Sequence, residues 1–182
     1  MLRHVRWEAE SGYGLEHLTI RCEPGKIIAD GVIVGNRFGI EYGAKYQIEM
    51  AEDWSVRRVY VAMTDGRYLS LSADGAGIWR DEDGRVVEAL NQCIDVDISA
   101  TPFSNSLPIN RLTLDPGERT PIKVAYLAIP DLTIEPVEQA YTCITAGRAY
   151  RYEGLFRAFE TELLVDEMGI VEDYPSLFKR VR

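Results

Sequence analysis

Two carboxylates, Asp95 and Asp97, stand two residues apart within residues 92–112, and their spacing is the first indication of chemistry in the chain. In an extended strand, side chains two residues apart lie on the same side, separated by about 7 Å. That distance overlaps the separation of paired carboxylates in glycosidases. The functional interpretation is acid–base catalysis or binding of sugar hydroxyls. The structural interpretation, which we favour, is that both carboxylates hold the turn at Thr101 and pair with Arg111.

Asn105 and Arg111 flank a short apolar wedge at residues 107–109. In a pocket, the Arg111 guanidinium could bind a carboxylate, a phosphate or a sugar oxygen in a forked geometry. The plainer alternative is an ion pair with Asp95 or Asp97 that makes residues 95–112 a rigid loop. Even then, a locked loop at the mouth of a curved sheet would form one wall of a binding site.

Aromatic residues are the second indication of a site, because three tryptophans and ten tyrosines are spread along the chain. Inward-facing tyrosine and tryptophan combine an apolar ring with a polar tip, which suits a ligand that has both a tail and hydroxyls. Most of these rings are expected to fill the core. The candidate ligand-binding residues are Trp79, Asp95, Asp97, Thr101, Asn105, Arg111, Tyr126 and Tyr152.

Signatures of an enzyme are weak in this sequence. His4 and His17 are its only histidines, and they lack the spacing of a zinc site. Cys22, Cys93 and Cys143 include no Cys-x-x-Cys pair, and no Gly-x-Ser-x-Gly elbow is present. We therefore predict no metal, no cofactor and no assigned catalytic residue, and a non-enzymatic protein in preference to an enzyme.

The elements that must position these residues are mostly strands. Between residues 37 and 50, apolar side chains occupy the even positions and polar side chains or glycine the odd ones, which predicts a long strand with one covered face. Weaker alternation predicts further strands at residues 3–10, 15–23, 27–34, 54–63, 67–73, 121–129, 133–145, 149–156 and 158–165.

Turn-forming pairs such as Asp65-Gly66 and Asp83-Gly84 separate these runs, which indicates hairpins. Short helical pieces are expected only at residues 86–91 and 102–107, the second capped by Thr101 with Pro102 in the first helical position. A closing loop is expected at residues 173–178. The predicted fold is all-β, a single strongly curved antiparallel sheet that forms a half-barrel or open barrel around a groove.

Length and composition limit the remaining possibilities. A chain of 182 residues with 46% hydrophobic content is expected to form a single domain over residues 1–182. The net charge of −9 argues against binding nucleic acid. The sequence contains no apolar run long enough for a transmembrane segment and no apolar signal-peptide core, so a cytoplasmic monomer or homodimer is expected.

Several motifs together resemble the bacterial family described as putative glycolipid-binding proteins. They are Asp95-Val-Asp97, residues 101–112, Gly77-Ile-Trp79, Tyr150-Arg-Tyr152, Val165-Asp166 and Asp173-Tyr-Pro175. The chain departs from the family pattern at Ser104 and Ser106, where threonines are usual, and at Asn110, where a second arginine is usual and would complete a two-arginine anion clamp.

The resemblance implies a large, strongly bent sheet that encloses a groove, similar to bacterial lipoprotein carriers and mycobacterial glycolipid-binding lipoproteins. Those carriers are exported, whereas this sequence shows no export signal, so the resemblance supports a cavity more than a role in lipid transport.

Three functions remain open at this point. The first is a non-enzymatic binding protein that holds an amphipathic or glycolipid-like small molecule, with residues 95–112 at the mouth of its cavity. The second is a glycosidase-like hydrolase that uses Asp95 and Asp97 as acid and base. The third is a structural or interaction module whose edge strands pair with a partner or with a second copy.

Overall fold

The computed structural model of the protein describes residues 1–10 and 13–181. Within these ranges, fourteen strands belong to one sheet. The strands are β1 (Leu2–Ala9), β2 (Gly14–Glu23), β3 (Lys26–Arg37), β4 (Ile40–Met50), β5 (Val56–Met63), β6 (Tyr68–Ala73), β7 (Trp79–Arg80), β8 (Asp95–Ile98), β9 (Arg119–Ala128), β10 (Thr133–Thr145), β11 (Ala149–Gly154), β12 (Phe159–Val165), β13 (Val171–Tyr174) and β14 (Phe178–Val181). A 3₁₀ helix covers Glu88–Leu90, and the helix α1 covers Phe103–Leu112.

The sheet is open, and its strand order is β7-β6-β5-β4-β3-β2-β1-β14-β13-β12-β11-β10-β9-β8. Its two edges are therefore β7 and β8, and the two halves of the chain join where β1 pairs with β14. All neighbours are antiparallel except β8 and β9. Parallel neighbours need a crossover connection, which α1 provides. The predicted all-β fold with one curved, mainly antiparallel sheet is confirmed, and the sheet does not close into a barrel.

In β4, the alternation between residues 37 and 50 produces one buried face, as predicted. Ala44, Tyr46 and Ile48 are buried on its even face, whereas Lys45 on the odd face is exposed. The predicted start of this strand is wrong, because residues 38–39 form the turn between β3 and β4. Phe38 has a positive φ of 53° in that turn, and its side chain is 91% exposed.

The segment predicted to be a rigid loop, residues 95–112, is instead the strand β8 followed by α1. The backbone amide of Phe103 donates a hydrogen bond to Thr101 Oγ1 at 3.0 Å, but the helix begins at Phe103 with Pro102 at its N-cap, one residue later than predicted. The predicted helical extent was too short, because α1 continues through Pro108 to Leu112. The predicted closing loop at residues 173–178 is too long, because only residues 175–177 form a turn, in the hairpin between β13 and β14.

Helix α1 packs between the two halves of the sheet. Phe103 and Leu107 belong to the core cluster formed mainly by β1–β6 and β8, whereas Ile109 belongs to the cluster formed by β10–β13. Both sides of α1 are therefore covered, and residues 103–109 are all buried. No helix in the described residues is long and apolar enough to cross a membrane.

An ionic cluster fastens the seam at which β1 meets β14. Asp166 Oδ2 accepts hydrogen bonds from the guanidinium groups of Arg3 and Arg180, each at 2.6 Å. The Arg180 guanidinium also lies 5.4 Å from the centre of the Trp7 ring, within the range of a cation–π contact. These contacts hold β1 and β14, the first and last strands of the chain, together next to Trp7.

Candidate functional site

A cavity of ≈ 530 Å³ opens at the end of the sheet where β1, β3 and β13 finish and β2 and β14 begin. Its size lies within the range of small-molecule sites. Aromatic and aliphatic side chains make up much of its wall, and they include Trp7, Ile33, Tyr42, Tyr152, Phe159 and Phe178. The N-terminal end of α1, with Thr101 and Asn105, contributes polar groups to the same space.

Glu16 is a carboxylic acid on the concave face of β2, where it lies between Trp7 of β1 and Ile33 of β3 in the strand register. Its side chain is buried, with 2% of the residue exposed. Oε1 accepts hydrogen bonds from the Tyr46 hydroxyl at 2.5 Å and from the Thr101 hydroxyl at 2.8 Å. Oε2 has no hydrogen-bond partner within the described part of the chain.

Burial raises the pKa of Glu16 from 4.5 to about 7, although the hydrogen bonds from Tyr46 and Thr101 oppose this shift. The cause is the loss of water around the charged form of the carboxyl. Near neutral pH, the group exists in both protonation states. Its free oxygen can therefore either accept a hydrogen bond from a ligand hydroxyl or donate one to a ligand oxygen.

The position of the Tyr46 hydroxyl depends on a glycine. Gly31 of β3 stands directly opposite Tyr46 of β4, and the Tyr46 ring lies over Gly31 so closely that a Cβ there would overlap the ring. This close approach lets the tyrosine reach across β3 to Glu16 on β2. Glycine is needed here because it has no side chain, and its backbone φ is not unusual.

Asp97, at the end of β8, is the second carboxyl of the cavity. Gln139 Nε2 donates a hydrogen bond to its Oδ2 at 2.6 Å. Loss of contact with water raises the pKa of Asp97 to about 6, while the hydrogen bond from Gln139 and the charges of Arg157 and Arg37 oppose the shift. Beside it, the buried Tyr141 hydroxyl donates to Asn105 Oδ1 at 2.8 Å, which orients the amide of Asn105.

Two arginines converge on one hydroxyl at the wall of the cavity. Arg37 Nη2 lies 3.3 Å and Arg157 Nη2 lies 2.7 Å from the Tyr126 oxygen, which accepts a hydrogen bond from each. Arg157 also packs on the rings of Phe156 and Tyr126, 4.7 and 4.8 Å from their centres. In the two described ranges, neither arginine forms an ion pair within 4.0 Å.

The structure brings five of the eight candidate residues to the cavity, namely Asp97, Thr101, Asn105, Tyr126 and Tyr152. It places Trp79 elsewhere, completely buried in the core with its Nε1 donating to the Cys93 carbonyl at 2.7 Å. Asp95 and Arg111 also lie away from the cavity wall.

Asp95 and Arg111 form the ion pair that the structural interpretation predicted. Arg111 Nε and Nη2 donate to the two carboxylate oxygens at 3.0 and 2.6 Å, and the side chains are 1% (Asp95) and 16% (Arg111) exposed. Burial raises the pKa of Asp95, and the Arg111 guanidinium opposes that shift. This pair fastens α1 to β8. Because only Asp97 reaches the cavity, the two aspartates do not share an open cleft as a glycosidase pair requires.

Glu16, Arg37 and Arg157 were not among the residues selected from the sequence. The signal for Glu16 was present, since it occupies the same face of β2 as the buried Leu18 and Ile20. A carboxylate at an apolar position of a strand is unusual enough to mark a site. Arg37 and Arg157 gave no comparable signal, because both lie next to turns, where arginine is common. Among the described residues, no group of three potential metal-ligating side chains is found.

Comparison with known proteins gives one family and one solved structure. The family model described as "Putative glycolipid-binding" matches residues 4–180. The chain is similar to a DUF1089 family protein from Pseudomonas aeruginosa whose crystal structure is known at 1.80 Å resolution, with 38% sequence identity and a TM-score of 0.83. That alignment covers 93% of this chain and 92% of the other. No curated protein matches the sequence. Residues 4–180 include all the residues that line the cavity.

Proposed function

The chain belongs to the family described as "Putative glycolipid-binding", and on that premise we propose that it is a single-domain, non-enzymatic protein that binds an amphipathic or glycolipid-like small molecule in the cavity at the end of its sheet. The protein supplies an apolar wall for a tail and a few fixed polar groups for hydroxyls. This division of surface is typical of small-molecule sites.

The observation that carries the proposal is that Glu16, whose buried Oε2 has no partner among the described residues, lines a cavity with much aromatic and aliphatic wall. A buried polar atom without a partner costs about 1–3 kcal/mol. A ligand hydroxyl that meets this oxygen after a small rotation of the Glu16 side chain would remove that cost while its hydrocarbon part covers the aromatic wall. The same ligand would be in reach of the amide of Asn105 and the carboxyl of Asp97, which line the same space.

In this proposal, the ligand contacts are made by Glu16 and by the five cavity residues that the sequence indicated. Asp95, Arg111 and Trp79 have a supporting role. The ion pair of Asp95 and Arg111 holds α1 in place, and the indole of Trp79 fixes the backbone at Cys93 just before β8. Their replacement is expected to change stability before it changes ligand binding.

The two alternative functions have less support. A hydrolase that uses Asp95 and Asp97 would need both carboxyls in one cleft, but Arg111 occupies both oxygens of Asp95. An interaction module would need accessible edge strands, but the edges β7 and β8 have only two and four residues. Short edges offer little backbone for a partner strand.

Isothermal titration with dodecyl maltoside, kept below its micelle concentration, tests the proposal. Ala9 lines the mouth of the cavity on β1, whereas its neighbour Glu8 is exposed and does not line it. Ala9→Trp therefore places a large ring in the mouth, and Glu8→Trp adds the same ring elsewhere as a matched control. We expect saturable binding of one molecule by the native protein and by Glu8→Trp, weakened about ten-fold or more by Ala9→Trp.

Circular dichroism and thermal unfolding of both variants establish that they are folded before the titration is interpreted. If the native protein shows no saturable binding, or if Ala9→Trp binds as tightly as Glu8→Trp, the cavity is not the binding site for such a molecule.

A further inference from the structure

We infer that the polar end of the bound molecule is an anion, a carboxylate or a phosphate, held between Arg37 and Arg157 at the mouth of the cavity while its apolar tail lies against the aromatic wall. This inference rests on the proposed function and narrows it, because it assigns a charge to the ligand and a place to its head.

The first support is the geometry of the two guanidinium groups. They approach the same Tyr126 oxygen from different strands, Arg37 from the end of β3 and Arg157 from the turn after β11. Each guanidinium has five N–H donors. Arg157 uses one of them on Tyr126, and Arg37 uses one on Tyr126 and one on the Ser99 carbonyl at 3.4 Å. Donors from both arginines remain available around one point.

The second support is electrostatic. The chain has 29 acidic and 20 basic residues, so carboxylates are abundant. Even so, no carboxylate lies within ion-pairing distance of Arg37 or Arg157 in residues 1–10 and 13–181. Two cations at one wall repel each other unless an anion lies between them. Paired guanidinium groups bind carboxylate and phosphate oxygens in a forked geometry.

The third support is the way in which the two arginines are held. Arg157 lies on the rings of Phe156 and Tyr126, and the Arg37 guanidinium lies 5.4 Å from the centre of the Phe38 ring. Stacking on rings orients a guanidinium and lowers the entropy lost when it binds an anion. The head site is thus formed before a ligand arrives.

The polar side chains lie at different depths in the cavity, and these depths indicate which end of the ligand faces water. Glu16 is buried, Arg37 is half-buried and Arg157 is exposed, although all three line the same cavity. A charged head placed at the arginines keeps contact with water, and burying it deeper would remove that contact. Phe38 and Leu15, both exposed, border the opening with apolar surface.

The ionised Asp97 carboxylate repels a bound anion, so its replacement tests the inference. Its carboxyl lies in the same cavity and interacts with the charges of both Arg37 and Arg157. When ionised, it competes with a bound anion for the two guanidinium groups. Asp97→Asn keeps the acceptor for Gln139 Nε2 and removes the charge, so it should strengthen the binding of an anion relative to that of a neutral molecule.

The experiment is isothermal titration at pH 7.5 with four probes, namely dodecanoate, dodecyl phosphate, neutral dodecyl maltoside and inorganic phosphate. Dodecanoate or dodecyl phosphate should bind about ten-fold more tightly than dodecyl maltoside. Arg37→Ala and Arg157→Ala should each remove most of this preference, because they weaken the anionic probes more than the maltoside. Arg151→Ala is the control, because Arg151 is exposed and does not line the cavity. Asp97→Asn should increase the preference.

The outcomes separate the two claims. If dodecyl maltoside binds as tightly as both anionic probes, and the arginine variants bind all probes like the native protein, the anionic head is excluded while the proposed function stands. If none of the tailed probes binds, the proposed function fails and the inference fails with it. Inorganic phosphate that binds as tightly as dodecyl phosphate would contradict the assignment of a tail to the cavity.

Discussion

At the scale of single residues, Glu16 couples the stability of the fold to pH. Burial raises the pKa of its carboxyl to about 7 in the folded protein, from an ordinary value of 4.5. Between these two values, the folded state holds the proton and the unfolded state has lost it. The free energy of unfolding therefore falls as pH rises from 4.5 to 7, by about 3 kcal/mol for this group. Asp97, with its pKa raised to about 6, contributes with the same sign.

Glu16→Gln tests this coupling. Glutamine keeps a carbonyl oxygen for the Tyr46 and Thr101 hydroxyls but carries no charge at any pH. We expect the variant to match the native protein near pH 4.5 and to be more stable by about 2–3 kcal/mol near pH 8. Urea unfolding at several pH values measures this difference. Equal pH dependence in the two proteins would mean that Glu16 titrates normally.

Arg111 should matter for stability because its partner is buried. Removing it by Arg111→Met leaves the Asp95 carboxylate without a counter-charge, which we expect to cost about 3–5 kcal/mol in urea unfolding at pH 7. Arg67→Met is the control, since Arg67 pairs with Asp65 where both side chains are half-exposed, and no measurable change is expected. A loss of ligand affinity in folded Arg111→Met would instead place Arg111 in the site.

Among the contacts of single residues, the sequence predicted those between residues that are close in the chain. The pair of Asp95 and Arg111 could be predicted because a strand and a helix next to each other carry them. The role of Glu16 could not, because its partners Tyr46 and Thr101 lie 30 and 85 residues away. Only the strand register shows that these three side chains meet.

At the scale of elements, the fit of β3 against β4 positions the Tyr46 hydroxyl. Gly31→Ala would press a methyl group into the Tyr46 ring and move its hydroxyl away from Glu16. Overpacking of this kind costs about 1–3 kcal/mol in the free energy of unfolding. We therefore expect a less stable protein with weaker binding of dodecyl maltoside, as measured by urea unfolding and titration.

Gly35→Ala is the matched control for the change in the free energy of unfolding. Gly35 lies on the same face of β3, but its added methyl would meet chiefly the hydroxyl end of Tyr42. Tyr42 is only half-buried and can swing aside. An effect of Gly35→Ala as large as that of Gly31→Ala would show that the two substitutions act through the backbone of β3, and that the Tyr46 ring is not the cause.

How well each strand or helix could be predicted depends on which of its faces are covered. Long antiparallel strands with one covered face, such as β2 and β4, alternate in burial and were predicted with only small errors at their ends. The full length of α1 was not predicted because both of its sides are buried. Ser104, Asn105 and Ser106 are buried alongside Phe103 and Leu107, so no apolar stripe marks the helix.

The short strands were missed for a different reason. β13 and β14 have four residues each, too few to show a period of two. β8 is also four residues long, and it is covered on both sides, by the core through Val96 and Ile98 and by the Asp95 ion pair. The polar and apolar residues of β8 do alternate, but two periods are too few to identify a strand.

At the scale of the whole molecule, the open sheet and the enclosed helix together create the cavity. The sheet curves around α1, and the seam between β1 and β14 brings both halves of the chain to one end. Arg37, Tyr126 and Arg157 meet there although 89 and 31 residues separate the arginines from the tyrosine. A curved sheet with a groove could be predicted from the alternation of polar and apolar residues. Which side chains form the site depends on these long-range pairings, which the alternation does not show.

Chemical-shift mapping by NMR tests the central claim, that this cavity binds an amphipathic molecule, most directly. Dodecyl maltoside is added to ¹⁵N-labelled protein below its micelle concentration, and the backbone amide shifts are followed. Binding in the cavity should produce saturable changes concentrated at Glu16, Thr101 and Tyr152, with the exposed Arg58 and Arg151 unaffected. Changes centred on these two exposed residues, or no saturable change anywhere, would contradict it.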